Sequence, residues 1–250
     1  MQHEVRVAQT IILAAGSGSR LATSRGDVPK PLMPVAGVPL VAHALEHARA
    51  SGCKEAVIVI GYAGEQVRAA VEAMRSPLRI TFLDNPDFSA PNGVSLLAAE
   101  PAASELFYLQ MVDHLFMEPI LNRLAAVPLA RGEAGRVLVD SSPSPDIDLA
   151  DATKVTLCDG RVTAIGKALT EWDAVDAGCF VLTREIFDAL RRAPADEGRT
   201  VSSGMRQLVA LGALGAVDVP RAEWIDVDTP ADREIAERLL GRRQLASDRQ

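Results

Sequence analysis

The first 112 residues alternate between short apolar runs and amphipathic stretches, and this alternation constrains the fold more than any other feature. Residues 7–15 form an apolar run with a polar break at Gln9 and Thr10. Residues 55–61, 79–84 and 106–112 are further runs of strand length, rich in β-branched and aromatic side chains. Between them, residues 40–50, 65–74 and 93–99 read as helices; Leu40, Ala44, Leu45 and Ala48 show the spacing. Gly52 is placed to end the first helix as its C-cap, and Asn92 to open the third as its N-cap. This strand–helix order predicts a parallel sheet with right-handed crossovers.

The first run leads into Gly16-Ser17-Gly18-Ser19-Arg20, and Pro29-Lys30-Pro31-Leu32 follows shortly after. A glycine turn at a strand end presents backbone N–H groups and lets a ligand approach the chain closely. Arg20 and Lys30 add positive charge, and a lysine between two prolines stands on a stiffened backbone. Together they suit a polyphosphate. Neither common phosphate loop is present. Leu21 stands where a dinucleotide fingerprint needs a third glycine, no acid occupies the ribose position, and no Gly-Lys-Ser/Thr follows.

Downstream, the pattern predicts a helix over 117–126 and a strand over 136–140, then a Ser/Pro/Asp-rich loop. The texture then changes. Asp159-Gly160 between two β-rich runs predicts a hairpin over 153–167. A strand over 175–182, helices over 184–191 and 201–211, and short strands over 216–219 and 223–227 follow. Thr229-Pro230 opens a last helix to Leu240, and residues 241–250 read as a flexible tail. With no internal repeat or linker, residues 1–250 read as one domain. Residues to about 145 form its nucleotide-binding part and residues from there to about 240 its acceptor-binding part. The expected fold class is α/β: a Rossmann-like mixed, mostly parallel sheet flanked by helices, with a small antiparallel β extension.

Composition narrows the function. A net charge of −7 and a pI near 5.2 argue against a nucleic-acid partner. No apolar run reaches the ~18 residues of a membrane span, and the first ten residues lack the basic and apolar regions of a signal peptide. Cys53, Cys158 and Cys179 give neither a disulfide framework nor a Cys-x-x-Cys metal pattern, so a cytoplasmic setting is expected. A homo-oligomer is compatible with the sequence.

Asp113 closes the fourth apolar run, and in open α/β sheets ligands gather at strand ends. A carboxylate there can hold Mg²⁺, which prefers oxygen ligands and accompanies phosphates; a turn or capping role is the other reading. Asp226 and Asp228 stand two apart on a strand end and share a face, where like charges call for a cation. Asp228 also precedes Thr229-Pro230 and could simply open the helix. Lys167 ends a strand near Glu171 and Asp176 and could reach inward; a solvated surface lysine is the alternative. His43 and His47 are one helical turn apart without a third ligand at the usual spacing, so they read as packing residues. Ser17, Ser202 and Ser203 lack a nucleophile elbow and histidines are few, which argues against triad chemistry.

Taken together, Leu13-Ala14-Ala15-Gly16-Ser17-Gly18-Ser19-Arg20-Leu21 and Pro29-Lys30-Pro31-Leu32 resemble the opening motif of sugar-phosphate and alcohol-phosphate nucleotidyltransferases. Asp113 matches the acid ending their central strand, and Trp224 to Pro230 is similar to their second metal-binding segment. A narrower resemblance, to the inositol-1-phosphate cytidylyltransferases, runs through Thr153-Lys154-Val155, Asp159-Gly160-Arg161-Val162, Ile165-Gly166-Lys167 and Glu171 to Asp176. Asn92-Gly93-Val94-Ser95 and Asp113-His114-Leu115-Phe116 fit it too; Pro31 instead matches the sugar enzymes.

The resemblance implies a nucleotide-diphospho-sugar transferase-like fold and a cytoplasmic enzyme making CDP-inositol and pyrophosphate from CTP and inositol 1-phosphate, with Mg²⁺. It implies that Leu13, Ala14, Ala15, Gly16, Ser17, Gly18 and Ser19 bind the nucleotide, with Asn92, Gly93 and Ser95 towards the base. Lys30, Arg20 and Lys167 are the implied catalytic cations, Lys167 on the acceptor phosphate. Asp113 and Asp228, with Asp226 as auxiliary, are the implied metal ligands. Asp140, Glu171 and Asp176 are implied for acceptor hydroxyls. A sugar 1-phosphate, phosphocholine or a phosphonate is the alternative acceptor, and a non-catalytic nucleotide-binding regulator the alternative class. Any later membrane-bound transfer of the CDP-alcohol would fall to a separate protein.

Overall fold

The structure, a computed structural model, describes residues 7–18, 28–194 and 198–247. Its centre is β1 (Gln9–Ala14), wholly buried and paired in parallel on both sides. One neighbour is β4 (Glu55–Ile60), which carries β5 (Arg79–Asp84) at its far edge; the other is β6 (Leu106–Met111). Side chains of β1 alternate between two cores. Ile12 and Ala14 face one, and Ile11 and Leu13 the other. Both sheet faces are therefore covered, which is why this strand reads as a continuous apolar run.

On the Ile12 face lie α1 (Leu40–Ala50), α2 (Gly64–Ala73) and the short α4 (Leu121–Leu124). On the Ile11 face lie α3 (Asn92–Ala98), α5 (Glu185–Arg192) and α6 (Val201–Ala210). β2 (Pro34–Val35) and β3 (Val38–Pro39) make the turn entering α1. Gly52, at φ 98°, follows α1 where a C′ glycine belongs.

Beyond β6 the sheet does not follow chain order. β11 (Ala174–Thr183) runs antiparallel between β6 and β8 (Gly135–Asp140). β12 (Leu214–Asp218), β10 (Arg161–Gly166) and β9 (Lys154–Cys158) complete nine strands in the order β5-β4-β1-β6-β11-β8-β12-β10-β9. Asp159 and Gly160 both have positive φ, as a tight β9–β10 hairpin requires. A separate ribbon pairs β7 (His114–Phe116) with β13 (Trp224–Asp226), and α7 (Pro230–Ser247) follows.

Three expectations change. The helix expected over 117–126 is only Leu121–Leu124, because Pro119 restricts the residue before it and supplies no N–H. α7 continues past Leu240 to Ser247, so the start of the expected tail is helical. Asn92 is the first residue of α3, not its N-cap, and its Oδ1 accepts from the Val201 backbone N–H at 2.9 Å. It thereby satisfies an orphan donor at the start of a different helix, α6. Among the described residues, no helix is long and apolar enough to cross a membrane.

Candidate active site

β1 and β6 are adjacent, yet the chain leaves β1 for β4 on one side and returns to β6 on the other. Open α/β sheets form their ligand crevice beyond strand ends at such a switch of direction. β1 ends into Gly16-Ser17-Gly18 and β6 into Asp113, so the glycine turn and the first acid meet there. A cleft of about 950 Å³ extends from Asp113, His114, Asp226 and Asp228 towards Lys167 and the start of α6 at Val201.

Lys30 heads a 3₁₀ turn, Lys30–Leu32, whose Pro29 is extended. Gly18, at φ 65°, lies so close that a Cβ there would overlap the Lys30 side chain. The glycine thus serves the loop both by its left-handed backbone and by close approach. Lys30 is 8% exposed, and its Nζ donates to Asp113 Oδ2 at 2.5 Å and to Asp228 Oδ1. Burial lowers the proton affinity of this ammonium, but the carboxylates of Asp113, Asp226 and Asp228 raise it well above the ordinary lysine range. Asp113 moves oppositely: burial pushes it up, but Lys30 and His114 hold it well below the usual carboxylate range.

The ribbon register explains the constellation. Asp226 on β13 lies opposite His114 on β7, and the Val227 N–H donates to the Asp113 carbonyl at 3.0 Å. His114 Nδ1 lies 3.0 Å from Asp113 Oδ1 and 3.8 Å from Asp226 Oδ1. Burial would lower the His114 pKa, but Asp226 and Asp113 bring it up to about 9. Burial and the carboxylates of Asp113 and Asp228 push Asp226 up to about 6, against the pull of His114 and Lys30. Burial does the same to Asp176, also to about 6.

Asp228 does not cap α7. Thr229 and Asp232 form that cap: Asp232 accepts from the Thr229 N–H at 2.7 Å, and the Asp232 N–H donates to Thr229 Oγ1 at 3.3 Å. The Asp228 side chain faces Lys30 instead. Three carboxylates around one ammonium, with Asp226 Oδ1 buried and lacking a hydrogen-bond partner, form an oxygen-rich donor set that suits a hard divalent cation. Asp113, His114 and Asp226 each offer an atom within 4.8 Å of the others and could hold a metal ion.

Other expected residues fall in different places. Gly16 and Ser17 are exposed and Leu13, Ala14 and Ala15 buried; Ser19 and Arg20 lie outside the described residues. Asn92 lines the cleft, whereas Ser95 is buried and accepts from Asn85 Nδ2 at 2.9 Å. Gly93 packs where a Cβ would overlap the Arg199 carbonyl oxygen. Lys167 lines the cleft mouth, paired with Asp151 at 2.5 Å, and Asp176 lines it as well. Glu171 is exposed and is not brought to the cleft lining.

Asp140 corrects the sequence reading. It is fully buried off the cleft and accepts from Trp224 Nε1 at 3.2 Å, Arg221 N at 3.0 Å and Ser142 N at 2.9 Å. Its lone pairs hold the protein together and leave little for a ligand. Trp224 in turn stacks on His114, with centroids 5.8 Å apart. Spacing gives no sign of that stack, although the Thr-x-x-Asp cap of α7 was open to reading from its pattern.

His43 and His47 behave as packing residues. The Ile120 N–H donates to His47 Nε2, so Nδ1 carries the proton donated to Gln110 Oε1 at 2.8 Å. His43 Nε2 sits 3.1 Å from the Val35 carbonyl oxygen.

A parallel half-sheet with a glycine turn and a lysine–carboxylate cluster at its switch point defines a nucleotidyltransferase. Residues 10–214 match the MobA-like NTP transferase domain, and the chain belongs to that family. It is 36% identical over 92% of its length to the bifunctional IPC transferase and DIPP synthase of Rubrobacter xylanophilus, covering 51% of that protein. The protein of that name from Archaeoglobus fulgidus is 33% identical over 94% of the chain, which covers 44% of it. The chain thus spans about half the length of these curated relatives. The CMP-5'-(3-aminopropyl)phosphonate synthase of Streptomyces rubellomurinus is 32% identical over 92% of the chain and 38% covered. Among solved structures, the inositol-1-phosphate CTP transferase from T. maritima superposes with a TM-score of 0.84 at 25% identity, covering 95% of this chain and 96% of that one.

Proposed function

We propose that the chain transfers CMP from CTP to inositol 1-phosphate, releasing pyrophosphate. The observation that carries this reading is Lys30 held between Asp113 and Asp228 at the switch point. The likeness to the T. maritima inositol-1-phosphate CTP transferase supports the choice of substrates.

An oxygen of the acceptor phosphate attacks the α-phosphorus in line, and the bond from that phosphorus to the β-phosphate oxygen breaks. The nucleophile is already anionic, so no general base is required. The barrier is repulsion between anions, and neutralisation with alignment lowers it. Lys30, preorganised by Gly18 and its carboxylates, supplies a charge donor at the nucleotide phosphates. Lys167 stands at the cleft mouth for the acceptor phosphate, and Asp176 faces the same space for its hydroxyls. Gly16, Ser17 and Gly18 present the turn for the triphosphate, and Asn92 lines the side where the base would enter. Asp113, Asp226 and Asp228 would hold Mg²⁺, whose chemistry there is to neutralise phosphate charge. The enzyme is read as cytoplasmic.

A phosphonate acceptor is the second reading, favoured by the similarity to the Streptomyces rubellomurinus synthase. Pyrophosphate release from a panel of nucleoside triphosphates against inositol 1-phosphate, sugar 1-phosphates, phosphocholine and aminoalkyl phosphonates tests both. CTP with inositol 1-phosphate is expected to give the highest kcat/KM. A higher value for any other pair overturns the primary reading.

A further inference from the structure

We propose that His114 is a positioning residue: its Nδ1–H fixes one oxygen of Asp113 so that the other is presented to the cleft. The inference rests on the nucleotidyl-transfer reading and adds to it a residue acting through Asp113. Asp113 divides its oxygens cleanly. Oδ1 lies 3.0 Å from His114 Nδ1 and Oδ2 lies 2.5 Å from Lys30 Nζ. A carboxylate has a broad, two-fold terminal torsion and does not hold its own orientation. A donor locked onto one oxygen removes that freedom, as partners behind metal-binding carboxylates do.

The ring that supplies this donor is itself packed tightly by Trp224 and Gly178. On one side Trp224 lies nearly parallel, 9° between planes and 5.8 Å between centroids. Gly178 also comes so close to the ring that a Cβ there would overlap the imidazole. Two further features build this clamp. The pairing of β11 with β8 slips between Asp176 and Phe180, and Gly178 adopts φ 73° within that irregularity. Asp176 Oδ1 accepts the Gly178 N–H at 2.7 Å and holds the irregularity in place. Such bulges re-aim residues next to functional sites. On the Trp224 side, the buried Asp140 carboxylate anchors the indole N–H, and Phe116 stacks on it at 6.1 Å. The chain of contacts therefore runs from Asp140 through Trp224 and His114 to Asp113. A ring needed only to fill space would not require both a glycine against it and an anchored indole stacked on it.

His114→Ala and His114→Asn separate the hydrogen bond from the packing. Both remove the ring and its stacking, and only Asn retains an N–H donor near the reach of Nδ1. Mn²⁺ binding without substrates, followed by EPR, is the first readout, and pyrophosphate release from CTP and inositol 1-phosphate is the second. His114→Ala is expected to weaken Mn²⁺ binding and lower kcat by about 10–100-fold. His114→Asn is expected to recover most of both, although the two variants share a similar drop in Tm. Should the Ala variant fail to fold, His114→Phe, which keeps a ring and lacks the donor, takes its place. Equal Mn²⁺ affinity in the donor-bearing and donor-lacking variants overturns the proposal, as does a wild-type chain that binds no Mn²⁺. A wild-type chain that binds Mn²⁺ but releases no pyrophosphate sinks the substrate reading, while the metal comparison still decides the role of His114.

Discussion

Lys30 is the residue on which the cleft's charge balance turns. Burial disfavours its ammonium, yet Asp113, Asp226 and Asp228 more than offset that loss. Replacing it with Ala should cost about 3 kcal/mol of transition-state stabilisation, on the order of a hundredfold in kcat, the scale of removing one preorganised donor. Steady-state kinetics decide this, and near-wild-type turnover would remove Lys30 from the reaction. Asp140 makes the opposite case. Its change to Ala orphans the Trp224 and Arg221 N–H donors, each worth roughly 1–3 kcal/mol, so urea unfolding should show a clear loss of stability. A variant with unchanged stability and a raised KM for the acceptor would return Asp140 to the substrate. Asp113 and Lys30 were readable because each ends or stiffens a local element. The burial of Asp140 depends on Trp224, 84 residues away, and spacing does not encode that.

Elements built from local pattern match their sequence expectation well: α1 is Leu40–Ala50, and β5 is Arg79–Asp84. Of the β7–β13 ribbon, β13 falls within the short strand expected over 223–227, whereas three-residue β7 carries little pattern and the pairing joins distant segments. At the start of α7, Asp232→Ala should remove the carboxylate half of the cap and cost about 1 kcal/mol, read as a lower denaturant midpoint. It should also weaken nucleotide binding, since Asp232 accepts the Asp228 N–H at 3.1 Å. α1 carries a pH prediction through His47. Burial holds its pKa at about 4, against 6.5 for the ordinary group. The unfolded chain takes up this proton first as pH falls, so His47 favours the native state above pH 6.5 and that contribution is lost between about 6.5 and 4. The loss is about 3 kcal/mol. Chemical denaturation of wild type and His47→Gln across this range should show wild type losing about 3 kcal/mol more than the variant, whatever slope the other groups give both; equal slopes would remove His47 as a source.

At the scale of the molecule, the division near residue 145 describes roles along the chain more than it describes structure. The strand between β6 and β8 is β11, from the later part, so the earlier part lacks the middle of its own sheet. A fragment ending at residue 150 is therefore expected to show no cooperative thermal transition by circular dichroism, and a sharp one would mean the first part folds alone. The parallel half was legible because alternating strands and helices with right-handed crossovers predict parallel pairing, even for β6, which returns to β1 from about a hundred residues away. The place of β11 was not, because an apolar strand bears no mark of which two partners it will separate. The same placement sets a timetable for synthesis. Until residue 183 has emerged from the ribosome, β6 and β8 each keep an open edge of unpaired backbone groups. The sheet therefore closes late, through contacts of high sequence separation, which makes folding slow and leaves the nascent chain exposed to strand-to-strand association with its neighbours.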